Sequence, residues 1–392
     1  MNPFDFQPLT RMVAGVDSIA QLGALAAGFC VKKVLVVTDP GIVQAGHVQR
    51  GIDSLTAAGL QTHLFDGARE NPTTDDVNAG LVVAKEFKPE MIVGLGGGSS
   101  MDCAKGINFL LSNGGEMKDY WGVGKATHEM LPMIAVPTTS GTGSEMQSFA
   151  LISDAETHVK MACGDKKASC RVAILDPSLT LTQPEIVTAL TGIDAISHAL
   201  ETYVTKRRNP ISLLFSSESW KLLAGNFRRV LEDPSDIEAR SAMQLGAAYA
   251  GVAIENSMLG ASHALANPLT AMYSIAHGQA VGAMLPHVIR FNGQKYEHWY
   301  KELLLVSQGI EGCPPADAGT EGLAQFVTEL VSAAGLEFQL NSLGVDQQHL
   351  PELAEGAAKQ WTGTFNPRAV DAEALLGLYL SLIHISEPTR PY

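Results

Sequence analysis

The chain has 392 residues, of which 46% are hydrophobic and 17% charged, and its formal net charge is −14. That length exceeds what one hydrophobic core usually supports, so we expect a globular protein of two domains. The negative charge argues against nucleic acid and anionic membranes as partners, because both would repel the protein, and no apolar run is long enough to predict a membrane span. The five cysteines are scattered and lack CxxC spacing, which predicts a reduced, cytoplasmic protein.

In the first half, apolar runs typical of β-strands alternate with amphipathic helical segments. In chain order the strand candidates are VLVVTD, QTHLFDG, MIVGLGGGSS and PMIAVPTTS, and DDVNAGLVVAKEF is one of the helical segments. This alternation predicts a parallel sheet covered by helices. The segment SFALISDAETHVKMAC then predicts a β-hairpin that turns at Asp154 to Thr157, and RVAILDPSLT predicts one more strand.

From about Pro184 onward the strand signals end. Long segments such as SAMQLGAAYAGVAIENSMLGASHALA carry helical periodicity that is apolar on most faces, as expected of buried helices. We therefore expect an α/β domain over residues 1–183 and an all-helical domain over residues 184–380. The ending SLIHISEPTRPY breaks the helical pattern and resembles a translated sequencing adapter or cloning scar, so residues 381–392 are expected to be a disordered, non-native tail.

One carboxylate and three imidazoles in the second half form a possible ligand set for a transition metal. Asp194 and His198 in TGIDAISHALE stand four residues apart, so a helix would project both from one face. His263 lies in the next His-containing helical segment, and His277 follows a short break after it. Such a set suits Fe(II) or Zn(II) better than Mg or Ca. The alternative is that these histidines merely pack in apolar stretches, which holds for a lone histidine better than for this set.

A glycine-rich turn in MIVGLGGGSSMDCAKG predicts a phosphate site. Gly97, Gly98 and Ser99 follow a buried strand and precede a helix expected to begin near Met101. Glycines let the backbone approach a pyrophosphate, and the helix N-terminus offers free N–H groups. Asp102 either is an ordinary carboxylate in the first helical turn or orients the bound nucleotide. The turn lacks the G-x-G-x-x-G spacing of the usual dinucleotide fingerprint.

Three further segments extend the nucleotide hypothesis. Asp39 ends the strand VLVVTD, where a carboxylate would bind an adenosine ribose and repel a 2′-phosphate, which favours NAD over NADP. Its alternative role is that of a turn former before Pro40. Thr138 and Thr139 open the hydroxyl-rich segment TTSGTGSE, which lines a phosphate or ribose or is an ordinary polar loop. The side chain of Lys160, on a predicted strand, is expected either to contact a phosphate or to face solvent.

Taken in order, TDPG, GGGSSMDCAK, PTTSGTGSE, ILDPSLT, TGIDAISHALE and GASHALANPLTAMYSIAHG resemble the iron-containing (group III) alcohol dehydrogenase family, from about Phe6 to about Leu380. The resemblance implies a Rossmann-like N-terminal domain, a helical C-terminal domain, a site in the cleft between them, and a homodimer. It implies that Fe(II), or Zn in some members, is held by Asp194, His198, His263 and His277. It also implies nicotinamide-cofactor contacts at Asp39, Asn71, Gly97, Gly98, Ser99, Asp102, Thr138, Thr139, Phe149, Lys160 and Leu179, of which Asn71, Phe149 and Leu179 rest on the resemblance alone.

The resemblance further implies reversible hydride transfer between a primary alcohol or diol and NAD, with a metal lowering the pKa of the alcohol. His277 is then essential as a ligand. Many relatives carry a further histidine four residues after the third ligand, where this chain has Asn267, and an amide cannot relay a proton as imidazole does. Gln147 likewise stands where relatives often have a threonine that reaches the cofactor.

Three alternatives keep the fold but change the role. A dehydroquinate-synthase-like lyase would need a basic pocket, whereas the charged residues within the metal motifs are Glu201 and Glu255, although the basic run 206–208 follows the first of these motifs. A hydroxyacid-oxoacid transhydrogenase would retain its cofactor and form no net NADH. A non-catalytic scaffold would have degenerate ligands, and all four are intact here.

Overall fold

The structure is a computed structural model that describes residues 4–383. The strands are β1 (Arg11–Ala14), β2 (Lys33–Val37), β3 (Gln61–Phe65), β4 (Met91–Gly96), β5 (Gly122–Val123), β6 (Met133–Pro137), β7 (Phe149–Ser153), β8 (Lys160–Gly164) and β9 (Val172–Leu175). The helices are α1 (Leu22–Ala27), α2 (Pro40–Gln44), α3 (His47–Ala57), α4 (Thr74–Phe87), α5 (Gly98–Asn113), α6 (Glu185–Val204), α7 (Pro210–Glu232), α8 (Ile237–Asn256), α9 (Ala261–Tyr273), α10 (His277–Val306), α11 (Gly319–Ala333), α12 (Leu350–Ala358) and α13 (Ala372–Ser381).

Six strands form one sheet in the order β1-β9-β6-β4-β2-β3, and every pairing in it is parallel. The central strands are apolar on both sides, since all six residues of β4 are buried, as expected when helices cover both faces of a parallel sheet. The predicted parallel sheet is thereby confirmed. The sequence did not predict β1 and β5, which contain only four and two residues.

Alternate residues of β2 enter two separate cores. Val34 and Val36 pack with α1 and α3 on one face of the sheet, whereas Leu35 and Val37 pack with α4 and α5 on the other. The side chains of a strand alternate between its faces, so a continuous apolar run fills both cores at once. This packing fixes where β2 and β4 end, and therefore where the residues that follow them lie.

A smaller sheet contains the predicted β-hairpin. Strands β7 and β8 pair antiparallel, with Ser153 opposite Lys160, and β5 pairs with β8 in parallel. Asp154 forms the turn, because its carboxylate accepts hydrogen bonds from the N–H groups of Glu156 and Thr157 and from the Thr157 hydroxyl. The predicted hairpin and its turn are confirmed.

From Glu185 to the end of the described residues every regular element is helical, so the predicted fold class, an α/β N-terminal part and an all-helical C-terminal part, is confirmed. Two breaks separate the helices that carry the histidine motifs: residues 257–260 before α9 and residues 274–276 before α10. Residues 384–392, most of the expected non-native tail, lie outside the described residues. No helix of the described part is both long and apolar enough to cross a membrane.

The chain divides into two compact units, and one of them is discontinuous. It consists of Phe6–Pro184 together with Ser235–Glu255, the segment that contains α8. The other contains Glu185–Pro234 and the described residues from Asn256 onward. The Gln244 amide on α8 donates to the backbone oxygen of Pro137 at 3.1 Å. A Cβ on Gly251 of α8 would lie 2.4 Å from the backbone oxygen of Gly143, so only glycine fits there. The expected domain limits at residues 183 and 380 stay a prediction.

Candidate metal and cofactor sites

Helix α6 carries Asp194, His198 and Glu201 on one face. Their spacing of four and then three residues places the side chains on successive turns of a helix. All three are buried, with exposed fractions of 6%, 5% and 2%. Buried charged and polar side chains need partners, so this face of α6 is either a polar network or a ligand site.

His263 and His277 come from the next two helical elements. His263 is the third residue of α9, and His277 is the first residue of α10. Helix α9 ends at Tyr273, its C-cap Ser274 has a positive φ of 54°, and α10 begins three residues later. The ring of His263 therefore lies between those of His198 and His277, at centroid distances of 4.8 and 5.4 Å.

The three imidazoles converge on one carboxylate oxygen. The Oδ1 atom of Asp194 lies 3.4, 3.5 and 3.7 Å from the Nε2 atoms of His198, His263 and His277. Ligand atoms of Asp194, His263 and His277 all lie within 4.8 Å of one another. Four ligands bound tetrahedrally to one metal at about 2.0–2.1 Å would be about 3.4 Å apart. The geometry of Asp194, His263 and His277 thus fits a divalent transition metal, and His198 adjoins them at Asp194 Oδ1.

Unsatisfied polar atoms support this fit. Asp194 Oδ1 and His263 Nε2 are buried, and neither makes a hydrogen bond to any residue within 4–383. Buried polar atoms without partners are rare in native structures and call for an explanation such as a bound ion. Imidazole nitrogen with one carboxylate oxygen is a donor set that suits Fe(II) or Zn(II).

The electrostatics of the site favour positive charge. Burial alone would raise the pKa of Asp194, but His198, His263 and His277 together lower it below its ordinary value, so the carboxylate is ionised at neutral pH. Burial alone would lower the pKa of His263, but the neighbouring carboxylates of Asp194 and Glu201 raise it to about 9. The carboxylates of Asp194 and Glu201 thus favour positive charge at His263, and the imidazoles favour the ionised form of Asp194.

Asn267 lies one turn after His263 on α9 and is half-buried. Its amide donates a hydrogen bond of 3.0 Å to the side-chain oxygen of Gln360. An amide has no proton to release near neutral pH. At this position the chain therefore offers an oriented hydrogen-bonding group and no acid or base.

The glycine turn differs from the prediction in one respect. Helix α5 begins at Gly98, not near Met101, so Gly98 and Ser99 form its first turn and Asp102 lies in the second. Gly96 ends β4 with φ of 152°, and a Cβ there would lie 2.5 Å from Ser100 Oγ. The glycines allow the strand to pass into a helix without a loop, which the sequence pattern did not reveal. The first N–H groups of a 16-residue helix lie at this turn.

Asn71, Ser99 and Lys160 meet beside the glycine turn. The backbone N–H of Asn71, which has a positive φ of 52°, donates to Ser99 Oγ at 3.2 Å. The Lys160 ammonium donates to the side-chain oxygen of Asn71 at 3.4 Å. Three segments distant in sequence thus bring a cation and two polar groups to the N-terminus of α5, where a phosphate would be stabilised.

Asp39 caps a helix and contacts the glycine turn. Its Oδ1 accepts from the N–H of Ile42 at 3.1 Å, and its Oδ2 accepts from the Ser100 hydroxyl at 2.9 Å. The alternative role as a turn former therefore describes its local geometry, because Asp39 is the N-cap of α2. Each carboxylate oxygen has a second lone pair, so a ribose hydroxyl has acceptors available.

The segment that follows β6 packs on the glycine turn. A Cβ on Gly97 would lie 3.6 Å from Thr139 Oγ1, and one on Gly98 would lie 2.6 Å from the Thr142 methyl group. Thr138 is buried, with 3% of its surface exposed. Phe149 opens β7 and is half-buried. Leu179, in contrast, packs entirely within the apolar core that contains β2 and β9, and its side chain has no exposed surface.

Lys105 is a buried residue whose contacts sequence reasoning missed. Its ammonium donates to the backbone oxygens of Ser144, Gln147 and Phe149 at 2.6, 2.8 and 2.9 Å, and to Ser144 Oγ at 2.9 Å. Ser144 Oγ in turn donates to Asp102 Oδ1 at 2.7 Å. Lysine is almost never fully buried unless paired, so an ordinary helical pattern predicts an exposed side chain. The available signal was the position of Lys105 three residues after Asp102, between the small residues Ala104 and Gly106.

Two carboxyl groups near Lys105 have raised pKa values. Burial raises the pKa of Asp102 despite the opposing effects of Lys105 and the Ser144 hydrogen bond. Burial raises the pKa of Glu145 to about 7, and its own backbone N–H and Lys105 offset this only in part. A carboxyl group that titrates near neutral pH therefore lies inside the hydroxyl-rich segment.

The family described as iron-containing alcohol dehydrogenase matches residues 9–177, and the C-terminal family of the Fe-containing alcohol dehydrogenases matches residues 188–383. The 1,3-propanediol dehydrogenase of Klebsiella pneumoniae is 33% identical over 379 residues, which cover 96% of this chain and 98% of the relative.

A second relative, the NAD-dependent methanol dehydrogenase of Bacillus methanolicus, is 32% identical over 362 residues, which cover 92% of this chain and 95% of the relative. The crystal structure of a 1,3-propanediol oxidoreductase superposes with a TM-score of 0.92 at 32% identity, covering 97% of this chain and all 100% of the other. The chain therefore belongs to the iron-containing alcohol dehydrogenase family, and its predicted enzyme class, an NAD-dependent oxidoreductase acting on alcohols, is confirmed.

Proposed function

We propose that this enzyme oxidises a short primary alcohol or diol to its aldehyde with NAD, and reverses the reaction with NADH, using Fe(II) held by Asp194, His198, His263 and His277. The convergence of three imidazole nitrogens on one aspartate oxygen within 3.4–3.7 Å carries the metal assignment. The relatives support the substrate class, because one is a 1,3-propanediol dehydrogenase and another a methanol dehydrogenase. Zn(II) has the same ligand preference and is the alternative metal.

The metal, when bound, supplies Lewis acidity that favours the alkoxide form of an alcohol near neutral pH. Asp194 contributes an ionised carboxylate, because the neighbouring imidazoles lower its pKa. His263 presents Nε2 on the side of Asp194 and has its Nδ1 engaged by Glu201 at 2.7 Å. The Asn267 amide does not gain or lose a proton near neutral pH, so a proton released from the alcohol leaves through water or hydroxyl groups rather than through this side chain.

For the cofactor, we propose that the N-terminus of α5 at Gly97, Gly98 and Ser99 binds the NAD pyrophosphate, with the Lys160 ammonium as its counter-charge. The 3.4 Å contact from Lys160 to Asn71 supports this, because it brings the cation to the first turn of α5. Asp39 then binds the adenosine ribose and disfavours a 2′-phosphate. Thr138, Thr139 and Asp102 line the remaining polar surface, and Phe149 packs beside the nicotinamide.

The proposal includes a cytoplasmic homodimer. The thiols support a reducing compartment, since all five cysteines are free. Strands β1 and β3 support the dimer, because they are the edges of the six-stranded sheet and an edge strand presents unpaired backbone groups. Light scattering of the purified protein tests the assembly, and a monomer at micromolar concentration would contradict it.

The decisive test is metal analysis of protein purified without oxygen, followed by assays of NADH formation from a panel of alcohols. The wild type should contain about one iron or zinc ion per chain, and His277→Ala should lose both the metal and the turnover. His349→Ala is the matched control, because His349 is exposed and its ring nitrogen bonds to the hydroxyl of Tyr273, away from the candidate ligands. Near-normal turnover in metal-free His277→Ala would contradict the proposal. Absence of net NADH formation without an added carbonyl acceptor would favour the transhydrogenase.

A further inference from the structure

Glu201 lies behind the four candidate ligands and accepts hydrogen bonds at both carboxylate oxygens. Its Oε2 accepts from the backbone N–H of Gly260 at 3.0 Å and lies 2.7 Å from His263 Nδ1. Its Oε1 accepts from the N–H of Ser262 at 2.7 Å. Both oxygens of Glu201 thus face hydrogen-bond donors, which is the bonding pattern of an ionised carboxylate.

These contacts make Glu201 the cap of helix α9. The first N–H groups of a helix have no partners within it, and Gly260, the N-cap of α9, has no side chain to supply one. Glu201 supplies the missing acceptor from α6, where the positive end of the α9 dipole also favours an anion. A Cβ on Gly260 would lie 3.0 Å from Glu201 Oε1 and 3.0 Å from Asn366 Oδ1, so the carboxylate and the helix end are closely packed.

The same carboxylate determines which nitrogen of His263 carries the proton. An ionised carboxylate only accepts hydrogen bonds, so the 2.7 Å contact requires a proton on Nδ1. In the neutral ring Nε2 then keeps its lone pair, and Nε2 is the atom that lies 3.5 Å from Asp194 Oδ1. Histidines that bind metals usually donate their other ring N–H to such a partner, which fixes the ring and raises its basicity.

We propose that Glu201 is a positioning residue for the metal: it selects the Nδ1–H form of His263 and joins the N-terminus of α9 to α6, so that His263 Nε2 meets the ligands of α6 ready to bind. This inference rests on the proposed function, because it assumes that His263 is a ligand. Asp194, His198 and Glu201 share one face of α6, so a single helix orders two ligands and the support of a third.

Only a carboxylate satisfies all three donors. In Glu201→Gln one of the two oxygens becomes an NH2 group, which itself donates. If that group replaces Oε1 it opposes the N–H of Ser262, and if it replaces Oε2 it opposes the N–H of Gly260 and the proton of His263 Nδ1. Either orientation turns the His263 ring or frees the helix end. We expect metal affinity to fall by about 10- to 100-fold.

The test measures metal dissociation constants of the wild type and Glu201→Gln by chelator competition, with Fe(II) under anaerobic conditions and with Zn(II). Asp76→Asn is the matched control. Asp76 is also a buried carboxylate that caps a helix, α4, and its partners among the described residues are the N–H and hydroxyl of Thr73 and the guanidinium of Arg69, none of them a histidine. The thermal midpoint of each metal-free protein reports the structural cost separately.

We expect the metal dissociation constant to be 10- to 100-fold larger in Glu201→Gln than in the wild type and unchanged in Asp76→Asn. This difference should remain even if both metal-free variants lose similar thermal stability. Wild-type affinity in Glu201→Gln, or an equal loss in both variants, would overturn the role of Glu201. A wild type that binds neither metal would instead contradict the proposed function. If Glu201→Gln does not fold, Glu201→Asp keeps the charge but withdraws it by one methylene group, and unaltered affinity there would also overturn the inference.

Discussion

The Lys105 ammonium lies 2.6 Å from the backbone oxygen of Ser144, and this contact holds the hydroxyl-rich segment against helix α5. Three backbone oxygens between Ser144 and Phe149 accept from the same ammonium. Charged donors make hydrogen bonds that are shorter and stronger than neutral ones. One buried lysine therefore fixes the segment opposite the glycine turn without being exposed to a ligand.

Lys105→Met should destabilise the protein by about 2–3 kcal/mol, because it leaves buried carbonyl oxygens without a donor. It should also weaken NAD binding more than it lowers kcat, because the segment from Ser144 to Phe149 is then no longer held against α5. Denaturant unfolding and NAD titration measure the two effects. Lys167→Met is the control, because Lys167 also donates to a backbone oxygen, that of Ala126, from a partly exposed position. Equal NAD affinity in Lys105→Met and wild type would contradict the positioning role.

Glu145 should make the protein less stable as the pH rises from acidic to neutral values. Its pKa is about 7 in the folded protein and 4.5 in its ordinary state. Below pH 4.5 both states hold the proton, and between the two values the unfolded chain loses it first. The free energy of unfolding therefore falls as pH rises, by roughly 3–4 kcal/mol at 1.36 kcal/mol per unit of pKa difference.

Glu145→Gln should remove this dependence, so that the variant gains stability relative to wild type at pH 8 but not at pH 5. Urea unfolding at both pH values measures the difference, and comparing the two proteins cancels the titration of other groups. A stability difference that is the same at pH 5 and pH 8 would show that the Glu145 carboxyl titrates normally.

Asp39 allows the roles of charge and capping to be separated. Asp39→Gly removes both the charge and the side-chain cap of α2, although glycine at an N-cap costs only a few tenths of a kcal/mol. Asp39→Asn keeps a capping oxygen and removes the charge alone. If the carboxylate excludes a 2′-phosphate, both variants should use NADP at least tenfold better relative to NAD in initial-rate assays. Improvement in Asp39→Gly alone would assign the effect to the helix cap.

Asn267→His should introduce a titratable group one turn from His263. The kcat/KM for alcohol oxidation should then show a break near pH 6.5, the ordinary pKa of histidine, that the wild type lacks. Gln360→Ala is the control, because it removes the hydrogen bond of Asn267 without adding a titratable group. Superimposable pH profiles for Asn267→His and wild type would show that this position takes no part in proton transfer.

The sequence predicted the parallel sheet and the grouping of Asp194 with the histidines because both leave local patterns. Continuous apolar runs marked β2, β4, β6 and β9, and the spacing of Asp194 and His198 matched one helical turn. The start of α5 was wrong by three residues, since glycine and serine in a first helical turn look like loop residues. Strand β5 contains two residues and carries no periodicity to detect.

Contacts between segments distant in sequence were harder to predict. Glu201 continues the spacing of Asp194 and His198 by three residues, yet its partners Gly260 and Ser262 are set by tertiary packing. The partners of Lys105 are backbone oxygens, and a backbone oxygen leaves no trace in the choice of amino acid. Helix α8 is apolar on most faces, so its pattern does not reveal which core it joins.

Helix α8 also constrains the order in which the protein can fold during its synthesis. Two side chains of α8 bond to residues 107 positions earlier: Gln244 to Pro137, and Glu255 to the N–H and hydroxyl of Ser148. The strands of the large sheet all emerge by Leu175, but the segment between Pro137 and Ser148 cannot reach its final packing until translation passes Glu255. A nascent chain that already contains every strand of the large sheet therefore cannot complete the packing of its α/β unit until α6, α7 and α8 have been synthesised.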